Sequence, residues 1–215
     1  ALFLELPWEC EVVTNFSDTN LGCMNGPVSG INWFFNQVEE GIILEDDCIP
    51  SPAFFPYITE LLNIYRENGQ IMHLSGTSFL KKESTNLNSD YYFSKIAHGW
   101  GWATWRRAWN KFDLEMKHIK ELEDDMKKQK PFLFTKHQKF WLRLFKHISR
   151  SKTDMGIWDA QWEYSILYND GICVTPTTNF IENVGFDAEA THTKKKPSFI
   201  NQTESQTRLS QKTED

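Results

Sequence analysis

The stretch that most constrains this chain is Gly41-Ile42-Ile43-Leu44-Glu45-Asp46-Asp47-Cys48, where a short apolar run ends abruptly in three adjacent carboxylates. An apolar run of that length is the mark of a buried strand. The acids directly after it belong at the rim of the sheet, because an unpaired carboxylate is costly in an apolar interior. Three adjacent carboxylates also repel one another unless a cation joins them. Hard divalent ions such as Mn2+ or Mg2+ take oxygen ligands and keep positions open for phosphates, so the pattern suits a nucleoside diphosphate. Open α/β sheets gather such ligands at the carboxyl ends of their strands. The plainer reading is a solvated loop whose acids cap the next helix.

The flanking pattern alternates strands and helices. Residues 10–16 mix β-branched and polar side chains and end at Ser17-Asp18-Thr19-Asn20, which predicts a strand. Over residues 27–40, Val28, Ile31, Phe35 and Val38 recur at helical spacing, with Gly41 as the stop. Ser51 and Pro52 open a second helix carrying Phe54, Ile58, Leu61, Leu62 and Tyr65, its regular start delayed by Pro56. Residues 70–75 and 91–96 are predicted strands, and 104–130 a helix that is first aromatic (Trp105, Trp109, Phe112) and then charged. A helix over 159–168, a strand over 172–175 and a loop from Asn183 through Gly185 to Phe186 follow. This order predicts an α/β fold with a mixed, mostly parallel sheet and helices on both faces.

Charge and composition narrow the partners. With 29 acids against 23 Lys and Arg, the net charge of -6 excludes a general nucleic-acid binder, which needs a basic face. Cys10, Cys23, Cys48 and Cys173 form no C-x-x-C pair, so they write neither a zinc knuckle nor a redox site. No apolar run reaches the roughly twenty residues of a membrane span, and the expected compartment is the cytoplasm. Residues 132–152 set Phe134, Trp141, Leu144, Phe145 and Ile148 against Lys136, Lys139, Arg143, Lys146, Arg150 and Lys152, with no acid among them. A basic amphipathic helix of this kind suits the anionic inner face of a bacterial membrane or an acidic acceptor, although packing its aromatic stripe on the sheet is the simpler expectation. Residues 194–215 are polar, begin with Lys194-Lys195-Lys196 and have the composition of a disordered tail, leaving 1–193 as one domain.

The segment from Ile43-Leu44-Glu45-Asp46-Asp47-Cys48 through Ile49-Pro50-Ser51-Pro52 to Phe54-Phe55 resembles the acidic motif of A-type-fold glycosyltransferases, in particular the mannosyl-glycoprotein N-acetylglucosaminyltransferases. His98-Gly99-Trp100-Gly101-Trp102-Ala103-Thr104-Trp105 is similar to their Gly-Trp-Gly-Trp element, and Trp158-Asp159-Ala160-Gln161-Trp162 to their Trp-Asp-rich segment. Asn183-x-Gly185 and Ala190-Thr191-His192-Thr193 match bacterial transferase-like proteins of the group. The likeness covers about residues 8–193, and because relatives of this kind usually begin with a further strand-helix-strand unit, the resemblance leads us to expect the fold without that first unit.

The resemblance implies a metal-dependent transfer, with inversion, of a sugar such as N-acetylglucosamine or a related hexose from a nucleotide-sugar donor to a glycan or glycolipid hydroxyl. It makes Asp47 a ligand of Mn2+ or Mg2+ and sets Glu45 and Asp46 against the ribose and sugar of the donor. Asp159 takes the place of the base, yet the segment has Trp-Asp-Ala-Gln-Trp where the animal enzymes have Trp-Asp-Asp-Trp, which leaves Glu163 as the alternative base. A carboxylate that accepts the acceptor's proton and a cation that neutralises the departing diphosphate are what an inverting transfer needs. Asp159 at the start of a helix is also explained as an N-cap. His192 is a second candidate metal ligand, set against the plain reading of a surface histidine. Gly101 allows close backbone approach, and Trp100 and Trp102 offer indole faces for a sugar, with at least one of the two expected in the core. Asn20, in Asn20-Leu21-Gly22-Cys23, resembles a loop bordering the donor pocket. The alternative from another class is a non-catalytic carbohydrate-binding or assembly module on the same fold.

Overall fold

Asn20 accepts the Gly22 amide on its side-chain oxygen at 2.8 Å, and Gly22 turns the chain with φ +74° into helix α1 (Gly22–Phe35), which buries Val28, Ile31 and Phe35. The computed structural model describes residues 9–80, 89–129, 136–151 and 157–186. Helix α1 therefore begins before the predicted start at 27 and keeps Pro27 within it. Strand β1 (Glu40–Ile43) follows, and Gly41 lies inside it rather than closing the helix. The Phe34 ring fills the place a Cβ on Gly41 would need, so the glycine is there for close helix–strand packing.

The short strand β2 (Cys48–Pro50) leads to α2 (Phe54–Tyr65), whose buried Phe54, Tyr57, Ile58, Leu61 and Leu62 recur at helical spacing. Ala53 occupies the cap position, and the Ser51 carbonyl, not its hydroxyl, accepts the Phe54 amide. Then come β3 (Ile71–Ser75), β4 (Tyr91–Ser94), β5 (Trp102–Trp105) and the short α3 (Arg106–Trp109). Helices α4 (Ile119–Gln129), α5 (Lys136–Arg150) and α6 (Asp159–Tyr168) precede β6 (Ile172–Pro176) and β7 (Ile181–Asn183).

Five strands form one sheet in the order β1-β5-β3-β6-β4, and β2 pairs separately with β7. The sheet is mixed, but it corrects the expectation of mostly parallel pairing: among the described strands only β3 and β6 pair in parallel. The cause is β5. The spacing of Trp105, Trp109 and Phe112 imitates a helix, yet Trp102, Ala103, Thr104 and Trp105 are all buried in a central strand covered on both faces, which shows no alternation. Inserted antiparallel between β1 and β3, β5 leaves β1, β3 and β6 pointing the same way, so their carboxyl ends share one rim. Residues 10–16 form no strand; Val12, Val13 and Phe16 are exposed, and no described strand offers them a partner.

Helices lie on both faces of the sheet, as expected. One core joins α2 to Leu74, Ala103, Trp105, Val174 and Ile181. The other joins α1, α3 and α6 to Met72, Trp102 and Cys173. The outer side of α6 carries a third cluster in which Leu142 and Phe145 of α5 meet Met116, Leu122, Met126 and Tyr164. The aromatic stripe of α5 thus packs on helices rather than on the sheet. Sandwiched between these layers, α6 is buried nearly all round, which explains its weak amphipathicity despite regular helical geometry.

Candidate functional site

The acidic loop crosses from the carboxyl end of β1 to β2. The Cys48 amide donates to the Glu45 carbonyl at 3.1 Å, closing a tight turn, and the Val184 amide donates to the Asp47 carbonyl at 2.9 Å, tying the turn to the end of β7. The side chain of Asp47 lies against Gly185: a Cβ there would clash with Asp47 Oδ2 and stand 3.1 Å from its Cβ and Cγ. The Cys48 thiol donates to Asp47 Oδ1 at 3.4 Å, and burial together with the Asp47 charge pushes that thiol up to about 12. Cys48 is therefore a neutral prop under Asp47.

Helix α6 brings the second half of the site. Trp158 is its cap and Asp159 its first residue, exposed, with Oδ1 accepting the Ala160 amide at 2.9 Å. Asp159 is thus inside the helix instead of capping it, where the amino-terminal peptide dipoles favour its negative charge. The Trp158 side chain favours the charged form of Glu45, which puts the acidic loop beside the start of α6. Desolvation, followed by the charges of Asp47, Asp159 and Asp46, pushes Glu45 up to about 7. The residue as a whole stays exposed, so the three neighbouring charges are the part of this shift that a cation would remove.

One turn further along α6, Glu163 is only 2 % exposed. Its Oε2 accepts the Ala97 amide at 2.8 Å, its Oε1 has no hydrogen-bond partner among the described residues, and burial, with the Asp159 charge adding, pushes it up to about 8. This placement corrects the expectation of Glu163 as an alternative base, since the carboxyl faces the loop before β5 and not solvent. Because its folded pKa lies above the ordinary value, its contribution to stability is complete below about pH 4.5 and is lost as pH rises through about 8. Glu163→Gln keeps an oxygen for the Ala97 amide and removes the titration. Its melting temperature should match the wild type at pH 5 and exceed it by at least about 3 °C at pH 9, which differential scanning calorimetry reads directly.

The loop held by Glu163 leads to the Gly-Trp-Gly-Trp element. His73, fully buried on β3, stacks on Trp102 with centroids 5.1 Å apart. Its Nδ1 accepts from the Trp162 indole at 3.1 Å, which leaves the proton on Nε2 to donate to the His98 carbonyl at 3.2 Å. Burial holds His73 down at about 3 and His98 at about 4, so both are neutral props. Gly101 has φ +58°, and a Cβ on it would collide with Ile181 and reach Leu44 at 3.2 Å, so only glycine fits beside the acidic loop. Trp100 is half-buried, edge-on to Phe79 and Phe186. Trp102 is fully buried at 0 % exposure, which corrects its assignment to donor binding and makes it a core residue.

The structure thus gathers Glu45, Asp46, Asp47, Asp159, Trp100 and Gly101 at the shared rim of the sheet. Asn20 stands elsewhere, serving the start of α1 in an open cleft of about 570 Å³ lined by residues 15–22, Gly26, Ser29 and Gly30, with no part of the acidic loop. His192 lies outside the described residues. Among the described residues no three His, Cys, Asp or Glu side chains converge on one point as ligands. A divalent ion that is shared with phosphates needs only one or two carboxylates, and Asp47 with its neighbours supplies them. Trp158 as a neighbour of Glu45, and Gly185 as the wall behind Asp47, were not singled out as site residues from sequence. The motifs Trp-Asp and Asn-x-Gly were the available signals. Compared with protein-family models and with curated proteins, the chain matches none.

Proposed function

We propose that this chain is a metal-dependent, inverting glycosyltransferase of the A-type fold, acting from a nucleotide-sugar donor on a glycan or glycolipid hydroxyl. The observation that supports the reading is that the charge of Asp159, at the start of a distant helix, acts on Glu45 together with those of Asp47 and Asp46, which puts a second carboxylate within electrostatic reach of the acidic loop. Four negative side chains held at one rim without a basic neighbour in the contacts of Glu45 form an electrostatic well for a cation. Asp47, assisted by Glu45 and Asp46, would hold Mn2+ or Mg2+. When bound, that ion supplies neutralisation of the diphosphate leaving group.

The remaining steps belong to the chain's own groups. Asp159, exposed and anchored at the start of α6, accepts the proton of the acceptor hydroxyl. Trp100, braced by Phe79 and Phe186, offers its half-open indole to a sugar face, and Gly101 permits close approach of the backbone.

Isothermal titration of uridine and guanosine diphosphates with and without Mn2+ tests the reading, which expects binding only with the metal. Gly185→Ala probes the geometry, because its Cβ must displace the Asp47 side chain. Mn2+-dependent nucleotide affinity should fall at least about tenfold, the scale of a disturbed supporting shell, while the buried core is untouched. Metal-independent nucleotide binding, or binding indifferent to Gly185→Ala, would count against the assignment.

A further inference from the structure

Four residues at the end of β7 touch both halves of the proposed site. The pairing of β2 with β7 sets the buried Asn183 opposite Cys48, the neighbour of Asp47. Asn183 Oδ1 accepts the Gly185 amide at 2.9 Å, which holds residues 183–185 in a tight turn. Within that turn the Val184 amide donates to the Asp47 carbonyl at 2.9 Å, and Gly185 lies under the Asp47 side chain with no room for a Cβ. Phe186 comes next, and its ring meets the Trp100 indole edge-on, with centroids 5.6 Å apart. A strap of four residues thus runs from the candidate metal ligand to the ring offered to a sugar.

At the Trp100 end the backbone is fixed and the rings are what can adjust. The Trp100 carbonyl accepts from the Thr77 hydroxyl at 2.6 Å, and the Gly101 carbonyl accepts the Gly76 amide at 2.7 Å. The indole has two edge-on neighbours, Phe186 and Phe79, and Phe79 is itself braced by the His98 ring at 4.8 Å. Phe186 is therefore the neighbour through which the indole can be turned. At the other end, a carboxylate that swings toward a cation changes its packing on Gly185, and the Val184 bond keeps the strap attached to the loop as it does so. Closely packed groups pass such a displacement on rather than absorb it.

We propose that residues 183–186 couple Asp47 to Trp100, so that a cation at the acidic loop sets the orientation of the sugar-facing indole, with Phe186 as the positioning residue. The coupling rests on the function proposed above, because a cation held by Asp47 is what moves the strap. It gives the ion a second consequence besides neutralising the leaving group: the sugar platform takes up one arrangement when the ion is bound and another when it is not. Such a shift is possible only because Asp47 binds the ion better in one arrangement than in the other.

Fluorine NMR of protein labelled with fluorotryptophan tests the coupling, with the Trp100 resonance assigned from Trp100→Phe. Cation uptake is measured separately, from the electron paramagnetic resonance of free Mn2+. In the wild type, Mg2+ should move the Trp100 resonance. Asp47→Asn should take up no Mn2+ and show no such shift. Phe186→Leu should take up Mn2+ like the wild type yet lose the Trp100 shift, whereas Phe186→Tyr, which keeps the ring, should retain both. The direct field of the ion on Trp100 is the same in these two variants, and a Phe186 that served packing alone would not separate uptake from shift. If melting curves show that Phe186→Leu does not fold, Phe186→Met, with a flexible side chain and no ring, reads the same link. A wild type that takes up no Mn2+ overturns the proposed function and the coupling together. Uptake with an unmoved Trp100 resonance, or with an equal shift in Phe186→Leu, overturns the coupling alone.

Discussion

Asp47→Asn is expected to abolish Mn2+-dependent binding of a nucleoside diphosphate while leaving the melting temperature within about 3 °C of the wild type. The amide preserves the shape of a side chain that already lies against Gly185, so packing is kept. It loses the charge that a hard cation needs. It also removes one of the charges that raise Glu45, whose pKa should fall below about 7 in the variant. Calorimetric titration of the nucleotide with Mn2+ gives the first result, and NMR titration of the Glu45 carboxyl gives the second. Retained metal-dependent affinity would falsify the role given to Asp47. The sign of the accompanying stability effect follows from Glu45. Its raised pKa means that its contribution is complete below about pH 4.5 and declines as pH rises through about 7, so removing a repelling neighbour should stabilise the cation-free protein near neutrality.

Asp159→Asn should separate chemistry from binding. Its side-chain oxygen can still accept the Ala160 amide, so α6 should start as before. Loss of a favourable charge at the helix terminus, worth about 0.3–1 kcal/mol, is offset by relief of the repulsion with Glu45. Transfer from a nucleotide sugar should fall by about 10²–10⁴-fold, the usual contribution of a positioned general base, with donor affinity changed less than about threefold. Single-turnover measurement of transfer, paired with donor titration, distinguishes this from a binding defect. Equal loss of affinity and rate would assign Asp159 to donor binding instead. Full activity would return the residue to a purely helical role.

The helix over α6 and the strands β1, β3 and β6 were legible in sequence because each is specified locally, by apolar spacing or by a short apolar run between breakers. The acidic loop was legible for the same reason, since charge at the end of a buried run has few placements. Strand β5 was not. A central strand covered on both faces carries no period, and Trp105, Trp109 and Phe112 happened to fall at helical spacing across the junction into α3. The strand expected over residues 10–16 failed for the opposite reason: β-branched composition describes a residue that suits a paired surface, and no described strand pairs with this one.

Within the site, residue type alone could not separate Trp100 from Trp102, or Asp159 from Glu163. Their fates differ because side chains two apart on a strand approach, or four apart on a helix, meet different neighbours only once the layers have assembled. Trp102 is enclosed by His73, Trp109, Trp158 and Trp162, whereas Trp100 keeps an open face. Glu163 is enclosed between the sheet and the outer helices, whereas Asp159 remains at the rim. The sequence by itself determined where the charges lie along the chain and which segments have an apolar face. Only the tertiary structure decided which charges stand together, because strand direction and helix stacking depend on contacts between residues far apart in sequence, and local pattern carries no information about those partners.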